Sequence, residues 1–368
     1  MPPIRMVDLQ RQHRTLSEPI EAAVRQVLED CDFVMGRAVA ELEADLSRYL
    51  GVRFAVGCAS GTDALRIALM ALEIGSGDEV ITTPFTFAAS VEAIVLQGAR
   101  PVFADIDPRT FNLDPGRIGE RITSRTKAIL PVHLFGHPAD MDSILDIARE
   151  KNLRVIEDAA QAVGARYRGQ CVGALGDIGC LSFYPAKHLG ACGDGGALLT
   201  NDSDLARRCR MISLHGAEAR YRHELPGLNS RLDSLQAAIL KVKLPHLEDW
   251  IEKRIRIAEA YGRALQPLPT TPPFRAPGVR HVYNQYSIRS PRRDGLAEFL
   301  RSSGVDCAIH YPLPLHLQPA YRQWADGNGS FPHAEALAEE ILSLPIFPEL
   351  TREETDQVAA TVRDFWKS

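Results

Sequence analysis

No apolar run in the 368 residues is long enough to cross a membrane, and the opening Met1-Pro-Pro-Ile-Arg-Met-Val-Asp8 breaks for proline and charge before a secretory leader could form. A cytoplasmic protein with no membrane partner is expected. A basic excess is missing too: 42 Lys and Arg stand against 47 Asp and Glu, without the footprint that nucleic-acid binding requires. The seven cysteines (Cys31, Cys58, Cys171, Cys180, Cys192, Cys209 and Cys307) are scattered and never spaced Cys-x-x-Cys. Neither a disulfide framework nor a metal site is indicated. A Gly-x-x-x-x-Gly-Lys-Ser/Thr loop is absent, and no Gly-x-Gly-x-x-Gly follows the first predicted strand. Nucleoside triphosphatases and nicotinamide dehydrogenases are thereby set aside. Internal repeats and low-complexity tracts are lacking as well.

What is present has the composition of an average globular enzyme, 45% apolar and 24% charged, at a length that suits two domains. Apolar residues at helical spacing run from Ser17 to about Tyr49, with Gly51 as a stop. Short β-rich runs then alternate with helical ones to about residue 200: Phe54–Val56, Glu79–Thr82, Pro101–Ala104, Lys127–Val132, Arg154–Ile156, Gly179–Phe183 and Ala197–Thr200, with helices such as Thr62–Leu72 and Met141–Lys151 between. That alternation predicts an α/β layer around a large mixed, mostly parallel sheet. After Ser230 the spacing predicts one or two long helices, then prolines from Pro267 to Pro277. A strand over Val282–Ile288, a helix over Leu296–Ser303, a short strand near Cys307–Ile309 and a final helix follow. The expected division is residues 1–250 as the large α/β domain and 251–368 as a small C-terminal α+β domain.

The richest stretch is Ser182-Phe-Tyr-Pro-Ala-Lys187-His-Leu-Gly-Ala-Cys-Gly-Asp-Gly-Gly196, where one lysine separates a strand end from four glycines. Such glycine density lets backbone pass close to a bulky group. A lysine fixed there is placed to act as a Schiff-base amine, its pKa lowered by desolvation. Upstream, Leu153-Arg-Val-Ile-Glu-Asp158-Ala-Ala-Gln161 runs an apolar strand into two carboxylates, at the strand end where open α/β sheets collect ligands. From the residues alone Asp158 could equally cap the next helix. Ala59-Ser60-Gly61-Thr62-Asp63 follows a strand and opens a helix, offering backbone N–H groups to a phosphate or, more plainly, an N-cap. Phe87, just past another strand, is either core or a stacking surface for a flat ring.

Together with Asp8-Leu9, Gly61-Thr-Asp-Ala-Leu65, Gly77-Asp-Glu-Val-Ile81, Glu157-Asp-Ala-Ala-Gln161, Gly193-Asp-Gly-Gly196 and Leu342-Ser-Leu-Pro345, these segments resemble the DegT/StrS family of sugar aminotransferases that use pyridoxal 5'-phosphate (PLP). The resemblance implies an aspartate-aminotransferase-like fold (fold type I) and a homodimer with shared active sites. It implies Lys187 as the Schiff-base lysine, Asp158 on the pyridine nitrogen, Gln161 near the ring hydroxyl and Phe87 stacked on the ring. Ser60, Gly61, Thr62 and Ser182 would hold phosphate, joined by Asn229 from an arm of the neighbouring subunit. Arg231 in that arm would bind a carboxylate or the sugar nucleotide, a task suited to its two-pronged geometry. His310 and Tyr311, in Gly304-Val-Asp-Cys-Ala-Ile-His-Tyr311, resemble the substrate side of members that aminate carbon 3. The implied substrates are a UDP- or dTDP-linked keto sugar and L-glutamate as amino donor. His188 departs from the family's usual asparagine after the lysine. Two alternatives remain at this point, a PLP-dependent sugar dehydratase and a catalytically silent PLP or nucleotide-sugar binding protein.

Overall fold

In the computed structural model, residues 3–325 and 330–367 are described. Met1 and Pro2 of the opening segment lie outside them. The leading helical segment is two helices: α1 (Leu9–Asp30), capped by Asp8, whose carboxylate accepts from the amides of Gln10 and Arg11, and α2 (Arg37–Leu50), closed by Gly51 in the left-handed conformation. The helical spacing continues across the break, but Cys31 (φ 52°) and Met35 (φ 54°) turn the chain between them.

The large layer follows as β1 (Phe54–Cys58), α3 (Gly61–Ala71), β2 (Glu79–Thr82), α4 (Ala89–Leu96), β3 (Arg100–Phe103), β4 (Thr126–Ile129), α5 (Met141–Lys151) and β5 (Arg154–Asp158). A hairpin, β6 (Arg166–Tyr167) and β7 (Gln170–Cys171), leads to β8 (Ile178–Ser182), β9 (Gly196–Thr200) and α6 (Ser203–Ser213). Seven strands pair in the order β1-β9-β8-β5-β4-β2-β3, with every contact from β8 through β3 parallel and β9 running against both its neighbours. This agrees with the expected mixed, mostly parallel sheet. Alternate residues of one strand face opposite layers: Ile156 joins the core under α3 and α4, and Val155 the core under α2 and α5. Both faces are thus covered, which is why these strands read as continuous apolar runs.

An exposed hairpin, β10 (Ala217–Ala219) and β11 (Arg222–His223), precedes α7 (Ser234–Lys243) and α8 (Leu247–Leu265). Helix α8 crosses residues 250 and 251 without a break, giving Leu247 and Ile251 to the sheet core and Ile257, Ala258 and Tyr261 to a third core. That third core is built on β13 (Tyr286–Arg289), α9 (Arg293–Ser302), β14 (Ile341–Leu344) and α11 (Arg352–Phe365), whereas β12 (Val279–Arg280) pairs with β6 and α10 (Pro332–Glu340) gives Ala334, Leu337 and Ala338 to the core under α3 and α4. The strand expected near Cys307–Ile309 is a single bridge, Ala308 to Ser343, on the free edge of β14. Buried Arg254 of α8 fastens that helix to the third core by donating to the carbonyls of Ile346 (2.8 Å) and Tyr283 (3.3 Å).

Candidate active site

The C-terminal ends of β1, β2, β5 and β8 lie at one edge of the sheet, and Ser60, Phe87, Asp158 and Lys187 sit at or just beyond them. Asp158 is the last residue of β5 and is buried. Its Oδ2 accepts from Ser90 Oγ at 2.7 Å and its Oδ1 from the Ala160 amide at 3.1 Å. Since Ser90 spends its one proton on Asp158, Thr86 Oγ1, 3.0 Å away, donates to Ser90. Two acceptor oxygens held this way still have lone pairs for a protonated ring nitrogen.

Glu157, its neighbour, points into the opposite layer and is fully committed there. His133 Nε2 lies 2.9 Å from Glu157 Oε2, and the amides of Gly173, Leu175 and Gly176 donate to the same carboxylate at 2.6–2.7 Å. His133 Nδ1 accepts from the Ala139 amide, so the Nε2 proton goes to Glu157. Burial alone would raise the Glu157 pKa, but His133 and the amides hold it below its ordinary value. The choice of Asp158 over Glu157 therefore has a physical basis.

Lys187 follows β8 by five residues, in the loop that must reverse into antiparallel β9. Burial pushes its pKa down to about 8, against the opposing pull of the Asp158 carboxylate. Such an amine is partly neutral, and so nucleophilic, near neutral pH. The glycines of this loop answer a steric demand. A Cβ on Gly196 would lie 2.4 Å from the Ser60 carbonyl oxygen, and one on Gly190 2.2 Å from that of Pro185.

Of the residues expected to hold phosphate, Ser60, Gly61 and Thr62 open α3. Ser60 caps the helix by accepting from the Asp63 amide (3.0 Å), so the plainer of its two expected roles is present. Capping also leaves the first amides, of Gly61 and Thr62, directed off the helix end. Ser182, the register partner of Gly196, packs so closely that a Cβ on Gly61 would meet the Ser182 Cβ at 2.7 Å. A helix start with free amides and a glycine, next to a hydroxyl, suits a phosphate.

Gln161 joins the two lobes, its Oε1 accepting from the Phe135 amide (2.7 Å) and its Nε2 donating to Tyr311 Oη (3.1 Å). The Tyr311 ring sits among Phe85, Phe87 and Phe135, with centroids 6.0, 6.4 and 6.5 Å away. Phe87 itself is 59% exposed, so its free face is available for a flat ring. His310 places Nδ1 2.9 Å from Ser343 Oγ, and burial followed by the Lys187 charge lowers its pKa. His188 is buried with Nε2 2.9 Å from the Val282 carbonyl, which anchors the lysine loop to the segment between β12 and β13. Asn229 is exposed and Arg231 half-buried; they flank buried Ser230, whose Oγ accepts from the Ala59 amide (3.2 Å). Sequence reasoning missed Ser90, Phe135 and Ser343. Ser343 lies in the Leu342–Pro345 segment without a role assigned to it, and for all three nothing local marks the partner met across the fold.

A loop lysine in the field of a strand-end carboxylate, on a mixed α/β sheet with a small C-terminal lobe, is the arrangement on which the comparisons with known proteins bear. Over its whole length the chain superposes on S. venezuelae DesV in complex with ketimine intermediate, covering 100% of both chains at 42% identity and a TM-score of 0.98. The chain belongs to the DegT/DnrJ/EryC1/StrS aminotransferase family, matched over residues 14–363. It is 47% identical over 365 residues to a pleiotropic regulatory protein of Geobacillus stearothermophilus, covering 98% of each. It is 46% identical over 360 residues to the UDP-N-acetyl-3-dehydro-alpha-D-glucosamine 3-aminotransferase of Acidithiobacillus ferrooxidans, covering 98% of this chain and 97% of the relative. No helix among the described residues is long and apolar enough to cross a membrane.

Proposed function

We propose that this protein is a PLP-dependent aminotransferase that moves an amino group from L-glutamate to carbon 3 of a nucleotide-linked keto sugar, UDP or dTDP being the nucleotide. The observation that carries the reading is Lys187 placed in the loop after β8 within the field of buried Asp158, its amine pushed down to about 8 by burial against the opposing pull of that carboxylate. PLP, when bound, supplies the electron-withdrawing ring that lets a proton leave the carbon bearing the amino group. The residues present suit it: Asp158 for the ring nitrogen, Gln161 near the ring hydroxyl, Phe87 on the ring face, and Ser60, Gly61, Thr62 and Ser182 for the phosphate. Lys187 would hold the cofactor covalently and, as a free amine, would serve as the base for that proton.

The carbon-3 preference draws on the Acidithiobacillus relative, whose name specifies a UDP-linked 3-dehydro sugar. His310 and Tyr311, at the mouth beside Lys187, are the residues assigned to the sugar. Asn229 and Arg231 are assigned to the phosphate and the carboxylate or sugar nucleotide of a neighbouring subunit's site. Supporting that arrangement, the 33–35 turn beside them exposes Phe33, Val34 and Met35 and is tied to α7 through the Ser234 amide and the Phe33 carbonyl. A homodimer covers that apolar turn.

The deciding experiment mixes purified protein and PLP with L-glutamate and follows the visible cofactor band, then 2-oxoglutarate and aminosugar once a 3-keto sugar nucleotide is added. Loss of the band on adding glutamate, and its return with the keto sugar, supports the reading. Lys187→Ala is expected to abolish turnover while the protein stays folded. Bound PLP with no response to any amino donor would put the silent-binder or dehydratase alternative first.

A further inference from the structure

A line of three hydrogen-bonding groups runs from the site into the core of the small lobe. His310 Nδ1 lies 2.9 Å from Ser343 Oγ, which lies 2.8 Å from Ser287 Oγ. Both serines are fully buried, and they are register partners across β13 and β14. The backbone of Ser343 also fixes the start of the His310 loop: its amide donates to the Ala308 carbonyl at 2.8 Å, and its carbonyl accepts from the Ala308 amide at 3.2 Å. Ser343 therefore controls both where the loop begins and what the ring meets.

The protons in this line have two orders in which Ser343 both donates and accepts; were Ser287 and Nδ1–H both to donate to it, the Ser343 proton would have no acceptor on the line. In the first, Ser287 donates to Ser343 and Ser343 donates to His310 Nδ1, which gives every hydroxyl proton an acceptor and leaves the ring proton on Nε2. In the second, Nδ1–H donates to Ser343 and Ser343 to Ser287, and the Ser287 proton has no hydrogen-bond acceptor among the described residues. A buried donor without a partner is disfavoured, so the first order prevails.

We propose that Ser343, backed by Ser287, is a positioning residue that holds His310 as its Nε2–H tautomer, so that the ring offers the keto sugar a hydrogen-bond donor. The donor's role toward a sugar oxygen rests on the aminotransferase reading; the tautomer does not. A neutral donor is compatible with the surroundings, because an imidazolium here would be opposed by burial and by Lys187, the charged group that faces it. Tyr311, whose ring lies 6.0 Å from His310, stays protonated because burial raises its pKa.

The test uses holoenzyme labelled with 15N-histidine and no substrate, His310 being assigned from the signals lost in His310→Gln. In the wild type Nε2 is expected to be protonated and Nδ1 bare. In Ser343→Ala the two nitrogen shifts should move toward each other as the Nδ1–H form becomes populated. In Ser287→Ala they should stay, because the Ser343 proton still has only Nδ1 to go to, and Ser343→Thr, which keeps the hydroxyl, should keep the wild-type shifts. An Nδ1–H tautomer in the wild type overturns the proposal, and that measurement needs no variant to fold. So does a Ser343→Ala protein with wild-type shifts, or a Ser287→Ala protein that moves as far as Ser343→Ala. In turnover, Ser343→Ala should raise the KM for the keto sugar about tenfold, the scale of one orienting hydrogen bond, and leave the glutamate half-reaction within about twofold. An unchanged KM in a variant whose tautomer has moved overturns the assignment of that donor to the sugar.

Discussion

Lys187 keeps its proton only up to about pH 8 because its surroundings are poor in water, and Asp158 stops the value falling further. The rate at which protein stripped of cofactor captures added PLP should therefore rise with pH through a midpoint of about 8, read by stopped-flow absorbance. Asp158→Asn removes the opposing charge, so the midpoint should move to lower pH. An unchanged midpoint would mean that the carboxylate does not act on the amine. The same variant keeps groups able to meet Ser90 and Ala160 but loses the charge, and its turnover should fall about 100- to 1000-fold, as when a preorganised electrostatic partner is removed. His188 contributes by position: neutral and buried, it fastens the lysine loop to Val282.

Strand β5 was legible because an apolar run leading directly into Glu157 and Asp158 fits a buried strand that ends at a polar rim, and fits a helix or a surface loop poorly. The α3 start and the lysine loop were legible for a similar reason, since hydroxyl, glycine and lysine placements are local. What a strand meets across the sheet is not local. Ser90 reaches Asp158 from 68 residues away, and the 307–309 run, β-like by composition, meets the free edge of β14 at one bridge only. Two element-scale outcomes follow from the packing. Glu157→Ala strips a buried carboxylate from His133 and three amides and should cost about 3–5 kcal/mol in denaturant unfolding. Because the folded pKa of Glu157 is lowered, its contribution is complete above the ordinary carboxylate range and is lost as pH falls through the folded value. Gly196→Ala drives a methyl against the Ser60 carbonyl and should cost about 1–3 kcal/mol, with weaker PLP retention on dialysis.

On the scale of the whole molecule, the ends of the chain are fastened together and the lobes share a helix. Arg11 of α1 makes a two-pronged ion pair with Glu354 of α11, at 2.6 and 2.7 Å, and α8 passes through both cores. Helix content and the alternating sheet were readable at this scale; the sharing of α8 was not, because its apolar spacing is the same on both sides of residue 250. Sedimentation should show a dimer, and Met35→Glu or Val34→Glu should shift it toward monomer with loss of turnover. Finally, Glu157 and Asp158 are consecutive on a pleated strand, one buried in scaffold and the other in chemistry. Their roles are assigned by parity: a one-residue slip of β5 would deliver the structural carboxylate to the site and bury the reactive one. Length changes just before this strand are therefore a more severe hazard than most substitutions within it.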